Sequence, residues 1–228
     1  MVILAVLLVM PANAQLFSKR QKRDRFNHNN VEQYYGLRLG LSIASLSSDD
    51  VNYDMSARTG LNFGAVYGLQ LANSTPLWLE FGAMYSEKGG ENSNFANVFD
   101  NGTDKKSYVE KVTTRLSYLQ VPIVVKYAID ITDDLYLQPY LGGYLALGIG
   151  GKTKHYGITN SELDIPRSSQ SSYDDFKRFD GGLRIGCGLE YQMVYAEAGF
   201  DFGLANICDN DFDATHTRSF FVNVGVNF

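Results

Sequence analysis

Three aspartates, Asp209, Asp211 and Asp213, alternate along one polar stretch and offer the hard carboxylate oxygens that a divalent cation takes as ligands. Asp49, Asp50 and Asp54 form a second acidic group. The triplet lacks the later glycine and bidentate glutamate of an EF-hand loop, so it is a weak metal candidate beside the plainer reading of a solvated acidic rim. Nucleophilic chemistry has little material. His28 lies in a basic stretch and His155 in a polar one, and His216 with Ser219 is the nearest hydroxyl pairing. These two are three residues apart, which on a strand points them to opposite faces. No catalytic or cofactor-binding residue is therefore expected, and a lipid hydrolase or acyltransferase is the least favoured reading. Nucleotide loops, thiolate-metal clusters and nucleic-acid modules are absent from the sequence, and a net charge of -5 argues against nucleic acid as a partner.

A different set of charges stands out by context. Arg38, Glu80, Lys126, Arg184, Glu190, Glu197 and Asp201, with Lys88 and Asp180, occur singly inside otherwise apolar, alternating segments. If Gln192-Met193 closes a two-residue hairpin, Tyr191 pairs with Val194 and Arg184 falls directly opposite Asp201 on one face. Nearly balanced charges facing one another suit an ion-pair and hydrogen-bond plug in a narrow barrel; a proton or ion path is the alternative. The same register sets Cys187 opposite Ala198 and leaves Cys208 about 33 Å further along, too far for a disulfide.

The elements that must position these charges are strands. From residue 34 the chain breaks into eight segments of about ten to fourteen residues with period-two alternation. Tyr35, Leu37, Leu39, Leu41 and Ile43 oppose Gly36, Arg38, Gly40 and Ser42; near the end Phe220, Val222, Val224, Val226 and Phe228 oppose Phe221, Asn223, Gly225 and Asn227. The non-apolar stripe is mostly Gly and Tyr with charges of both signs. A soluble periplasmic or secreted ligand-binding barrel would need that stripe to be a water-facing surface of Lys, Glu and Thr. As the lining of a narrow lumen it makes sense, with glycine leaving room for tyrosine and arginine. The expected fold is all-β: one eight-stranded, antiparallel, up-and-down transmembrane barrel over residues 34–228 whose apolar stripe meets outer-membrane lipid. Tyr35, Tyr85, Tyr127, Tyr191 and Phe228 fit interfacial girdles. Pro122 and Pro139 fall within segments, where each removes a ladder hydrogen bond, so a bulge is expected at one of them.

Flanking features agree. Val2 to Met10 is apolar and precedes Ala12-Asn13-Ala14, so residues 1–14 read as a signal peptide. No basic residue precedes that run, so translation is expected to start a few codons upstream. Residues 15–33, with Lys19, Arg20, Lys22, Arg23 and Arg25, read as a disordered basic periplasmic lead-in. Short connections (73–76, 130–134, 192–193) alternate with long ones (46–59, 89–113, 150–177, 206–216), which puts both termini in the periplasm.

Tyr118-Leu-Gln-Val-Pro-Ile-Val-Val-Lys-Tyr127 resembles the central motif of the PorT-like outer-membrane β-barrel family of Bacteroidota, and Pro139 to Gly143, Asp180 to Tyr191 and Gly199 to Ile207 resemble its later strands. The resemblance covers about 34–228. It implies a signal peptide, an eight-stranded barrel and an outer-membrane address, with possible envelope or secretion-system partners; it supplies no catalytic residues.

Overall fold

The computed structural model describes residues 32–48, 55–72, 75–100, 104–159, 162–174, 176–208 and 214–228. The signal peptide, the lead-in through residue 31, His28, the first acidic group and the Asp209, Asp211 and Asp213 triplet lie outside them.

Among the described residues ten strands form: β1 Gln33–Ser48, β2 Met55–Gln70, β3 Leu77–Asp100, β4 Asp104–Tyr127, β5 Ile129–Thr132, β6 Leu135–Thr159, β7 Glu162–Ser171, β8 Phe179–Tyr191, β9 Val194–Gly203 and β10 Thr215–Asn227. Every pairing is antiparallel. Eight of them make the wall in the cyclic order β1-β2-β3-β4-β6-β8-β9-β10, closed by β10 on β1 and by β4 on β6. The short β5 continues the line of β4, and β7 folds back on β6 as an outer hairpin. Closure leaves no free edge in the wall, which lets backbone polar groups cross a hydrocarbon layer with partners on both sides.

The stripes settle which side is which. Leu37, Leu39, Leu41, Leu141, Leu145, Ile185, Val222 and Val224 are each about half exposed, while Arg38, Glu80, Lys126, Arg184 and Asp201 on the alternate positions are almost fully buried. A ligand-binding barrel of the soluble kind would invert this order, so that alternative is excluded. On β1 the exposed apolar residues run from Tyr35 to Ile43, about 26 Å along the strand and roughly 20 Å in height at a tilt near 40°. That height approaches the apolar band of a membrane barrel. Tyr35, Tyr127, Tyr191 and Phe228 ring one end, exposed and next to the short turns. Val226 pairs with Val194 beside the Gln192-Met193 turn, so the C-terminus shares the short-turn end, the periplasmic one.

Two expectations need correction. Neither proline carries a bulge. The β3–β4 ladder runs from Phe81↔Ile123 to Met84↔Gln120 in one register, and its gap spans Pro122. The β4–β6 pairs stop at Lys126↔Tyr140 and resume at Ile129↔Leu137, again in register, and this gap spans Pro139. A lost donor thus costs local pairing without adding a residue. The bulges near them lie instead at Ser117/Tyr118, where β6 contributes one extra residue, Ile149, and at Asp130/Thr132, where β5 contributes Ile131. Second, 89–113 and 150–177 are not loops through most of their length. Strands β3 and β4 stay paired to Asp100↔Asp104, and β6 pairs with β7 out to Thr159↔Glu162. The paired strands carry the hairpins past the apolar band as continuous sheet.

Candidate functional site

The inward stripe assembles polar contacts at three heights. Nearest the periplasmic end, the Glu80 carboxylate accepts from Tyr34 Oη at 2.5 Å, Lys126 Nζ at 2.7 Å and Arg38 Nη2 at 3.3 Å. Lys126 also donates to Tyr195 Oη at 2.8 Å, and the Arg38 guanidinium lies 3.9 Å from the Tyr195 ring centre. In the same layer Glu190 accepts from Gln138 and Asn227, each at 2.9 Å, and two residues outward of Tyr195 on β9 Glu197 accepts from Asn223 at 2.8 Å. At mid-height Arg184 grips Asp201 with two bonds, Nε to Oδ1 at 2.6 Å and Nη2 to Oδ2 at 2.9 Å, and Gln120 adds a third donor at 2.8 Å. Nearer the outer end Lys88 Nζ meets Asp180 Oδ2 at 2.8 Å, where Thr217 also donates at 2.8 Å.

Three of these contacts cross the barrel. Lys126 on β4 reaches Tyr195 on β9, Gln120 on β4 reaches Asp201 on β9, and Lys88 on β3 reaches Asp180 on β8. Each pair is three strands apart around an eight-strand ring. Charge-assisted bonds in such surroundings are strong, and removing one partner leaves a buried charge uncompensated. The tyrosines need space, which glycine supplies: a Cβ at Gly68 would collide with the Tyr34 ring, and one at Gly188 with the Tyr195 hydroxyl. At the outer rim Tyr173, in a 3-10 turn spanning Ser172–Asp174, donates to Ser117 O at 3.0 Å. Burial raises its hydroxyl above the ordinary tyrosine range, so it stays a donor.

All seven charges singled out in the sequence point inward and are buried, and the Arg184↔Asp201 and Cys187↔Ala198 registers hold. Both cysteines are free. His216 packs its ring toward Ala205 O at 3.2 Å, while Ser219 is buried on the inward face, so the two do not meet. Sequence reasoning assigned faces but not cross-barrel partners, which depend on how far each strand is staggered. A cluster of cations on the outer wall, Arg58, Arg115, Lys152 and Lys154, carries no signal in the sequence, because these residues become neighbours only where the polar stretches around them pair as strands.

A family model described as an outer membrane protein beta-barrel domain matches residues 13–209. The chain belongs to this family. Its address is accordingly the outer membrane, with the exposed leucine and valine stripe in lipid. Among solved structures, Ail, the attachment invasion locus protein of Yersinia pestis, is similar at 13% identity and a TM-score of 0.43, covering 86% of this chain and 99% of its own. Neisserial surface protein A is similar at 14% identity and a TM-score of 0.39, covering 88% of this chain and 100% of its own. No curated protein matches the family member in sequence.

Proposed function

We propose that this family member is a closed, non-enzymatic outer-membrane barrel that anchors an envelope assembly or presents its outer hairpins to a partner. The observation that carries the reading is the set of three transverse contacts, Lys126 to Tyr195, Gln120 to Asp201 and Lys88 to Asp180. A continuous water path would have to pass all three heights, and at one of them it meets the buried Lys88–Asp180 ion pair, whose disruption costs about 3–5 kcal/mol. Eight-stranded barrels are narrow enough for side chains to fill.

The paired hairpins β3–β4 and β6–β7 supply the outward platform, since they project beyond the apolar band as continuous sheet. The PorT-like resemblance of Tyr118 to Tyr127 and the later strands supports an association with envelope or secretion-system proteins. Proteoliposomes containing the purified protein test the closed state by osmotic swelling in small sugars, and analysis of their lipids tests the absence of enzymatic activity. Swelling no faster than protein-free vesicles, with unchanged lipids, is expected; rapid swelling or a new lipid product overturns the reading.

A further inference from the structure

On the outside of the wall, a cleft of about 550 Å³ is lined by Arg58, Tyr85, Arg115, Ser117, Lys152 and Lys154 with glycine at 150 and 151. Arg115 and Lys152 are direct cross-strand partners, and Lys154 pairs two residues further out with Thr113. Like charges placed opposite one another destabilise a sheet. The acidic neighbours are Glu87, which is bonded to Arg115, and Glu91, whose charge acts on Arg58. Four cations against two carboxylates leave a formal excess of two positive charges. Arg58 Nη1 is buried and has no hydrogen-bond partner among the described residues. A guanidinium nitrogen withdrawn from water without an acceptor is costly, and the cleft beside it is where an acceptor would enter.

The position in the membrane selects the acceptor. Directly below the cleft, Tyr85, Leu119 and Leu147 form one cross-strand row, with Phe63 stacked on Tyr85 at 4.9 Å between ring centres. Leu119 and Leu147 are exposed members of the lipid-facing band. Arg115 stands four residues beyond Leu119 on β4, about 13 Å along the strand and roughly 10 Å in height. An amphiphile whose acyl chains lie on Leu119 and Leu147 would carry its headgroup to the level of the cations. The cleft opens sideways over that band, away from the lumen.

We infer that Arg58, Arg115, Lys152 and Lys154 form a binding site on the outer wall for the phosphate groups of an outer-leaflet glycolipid. Tetrahedral phosphate satisfies guanidinium and ammonium donors together, and Arg58 can offer it a fork of two N–H groups. The site rests on the membrane placement of the wall and is independent of whether the lumen is closed.

Native mass spectrometry of the full-length protein in detergent tests it, with bis-phosphorylated lipid A and fully dephosphorylated lipid A as probes. The native protein is expected to prefer the phosphorylated form by about tenfold or more. Arg58→Gln/Lys152→Gln/Lys154→Gln should abolish that preference, and Lys152→Arg/Lys154→Arg should keep it. A heat-dependent change in electrophoretic mobility reports whether each variant is folded; should the triple variant not fold, Lys152→Gln alone must lower the preference. Equal binding of both lipids by the native protein, or a preference that survives the glutamine substitutions, overturns the site. Displacement of the lipid by millimolar inorganic phosphate, or tighter binding of a sulfated oligosaccharide than of the lipid, overturns the lipid as its source.

Discussion

Lys88 on β3 and Asp180 on β8 meet across the barrel at 2.8 Å, with both side chains fully screened from solvent. The ammonium lies 4.1 Å from the Tyr144 ring centre, and Thr217 donates to the same carboxylate oxygen. Lys88→Met leaves Asp180 charged, buried and short of its cation, which should cost about 3–5 kcal/mol. Adding Asp180→Asn removes the stranded charge while keeping an oxygen for Thr217, so the double variant should be more stable than Lys88→Met alone. Denaturant unfolding in detergent, followed by the buried Trp78, checks the order. A double variant no more stable than the single would mean that the pair is incidental.

Gly188 and Tyr195 test the close fit of the lining. A methyl at position 188 would occupy the place of the Tyr195 hydroxyl, which accepts from Lys126. Gly188→Ala should therefore destabilise by about 1–3 kcal/mol through overpacking. Gly188→Ala combined with Tyr195→Phe should recover part of the loss, because the colliding oxygen is gone. Unfolding midpoints of the two variants decide this.

Gln192 opens the β8–β9 turn with φ at 56°, a left-handed conformation that costs a glutamine about 1–2 kcal/mol. Asparagine tolerates that region better, so Gln192→Asn should stabilise the barrel by a few tenths to about 1 kcal/mol. A fall in the unfolding midpoint would show that the glutamine side chain contributes something the backbone angle does not explain.

The alternation of Leu37, Leu39 and Leu41 with Arg38 and Gly40 was enough to assign faces, because strand periodicity is fixed and only one face of a membrane barrel meets lipid. The Gln192-Met193 turn was short enough to carry the register from Tyr191↔Val194 to Arg184↔Asp201. Longer reach failed for a physical reason. That Lys88 finds Asp180, rather than another acid at similar height, depends on strand stagger summed around the ring, which local patterns do not encode. Strand extension beyond Glu91 leaves no period-two signal, because the sequence there is rich in Asn and Ser and loses the regular apolar alternation. The basic cleft stayed hidden with it, since Arg115 and Lys152 become neighbours only if those segments are paired strands. Pro122 and Pro139 mislead in the opposite direction: the ladder tolerates a missing donor by a gap in pairing that keeps the register, with no bulge at either residue.

Planar-bilayer recording of the purified native protein at both polarities decides whether the lumen is closed, as proposed from its three transverse contacts. A closed lumen gives a baseline free of steady unitary steps, because Lys126, Gln120 and Lys88 each hold a partner across the bore. Reproducible ohmic conductance from heat-modifiable, fully folded protein would contradict it.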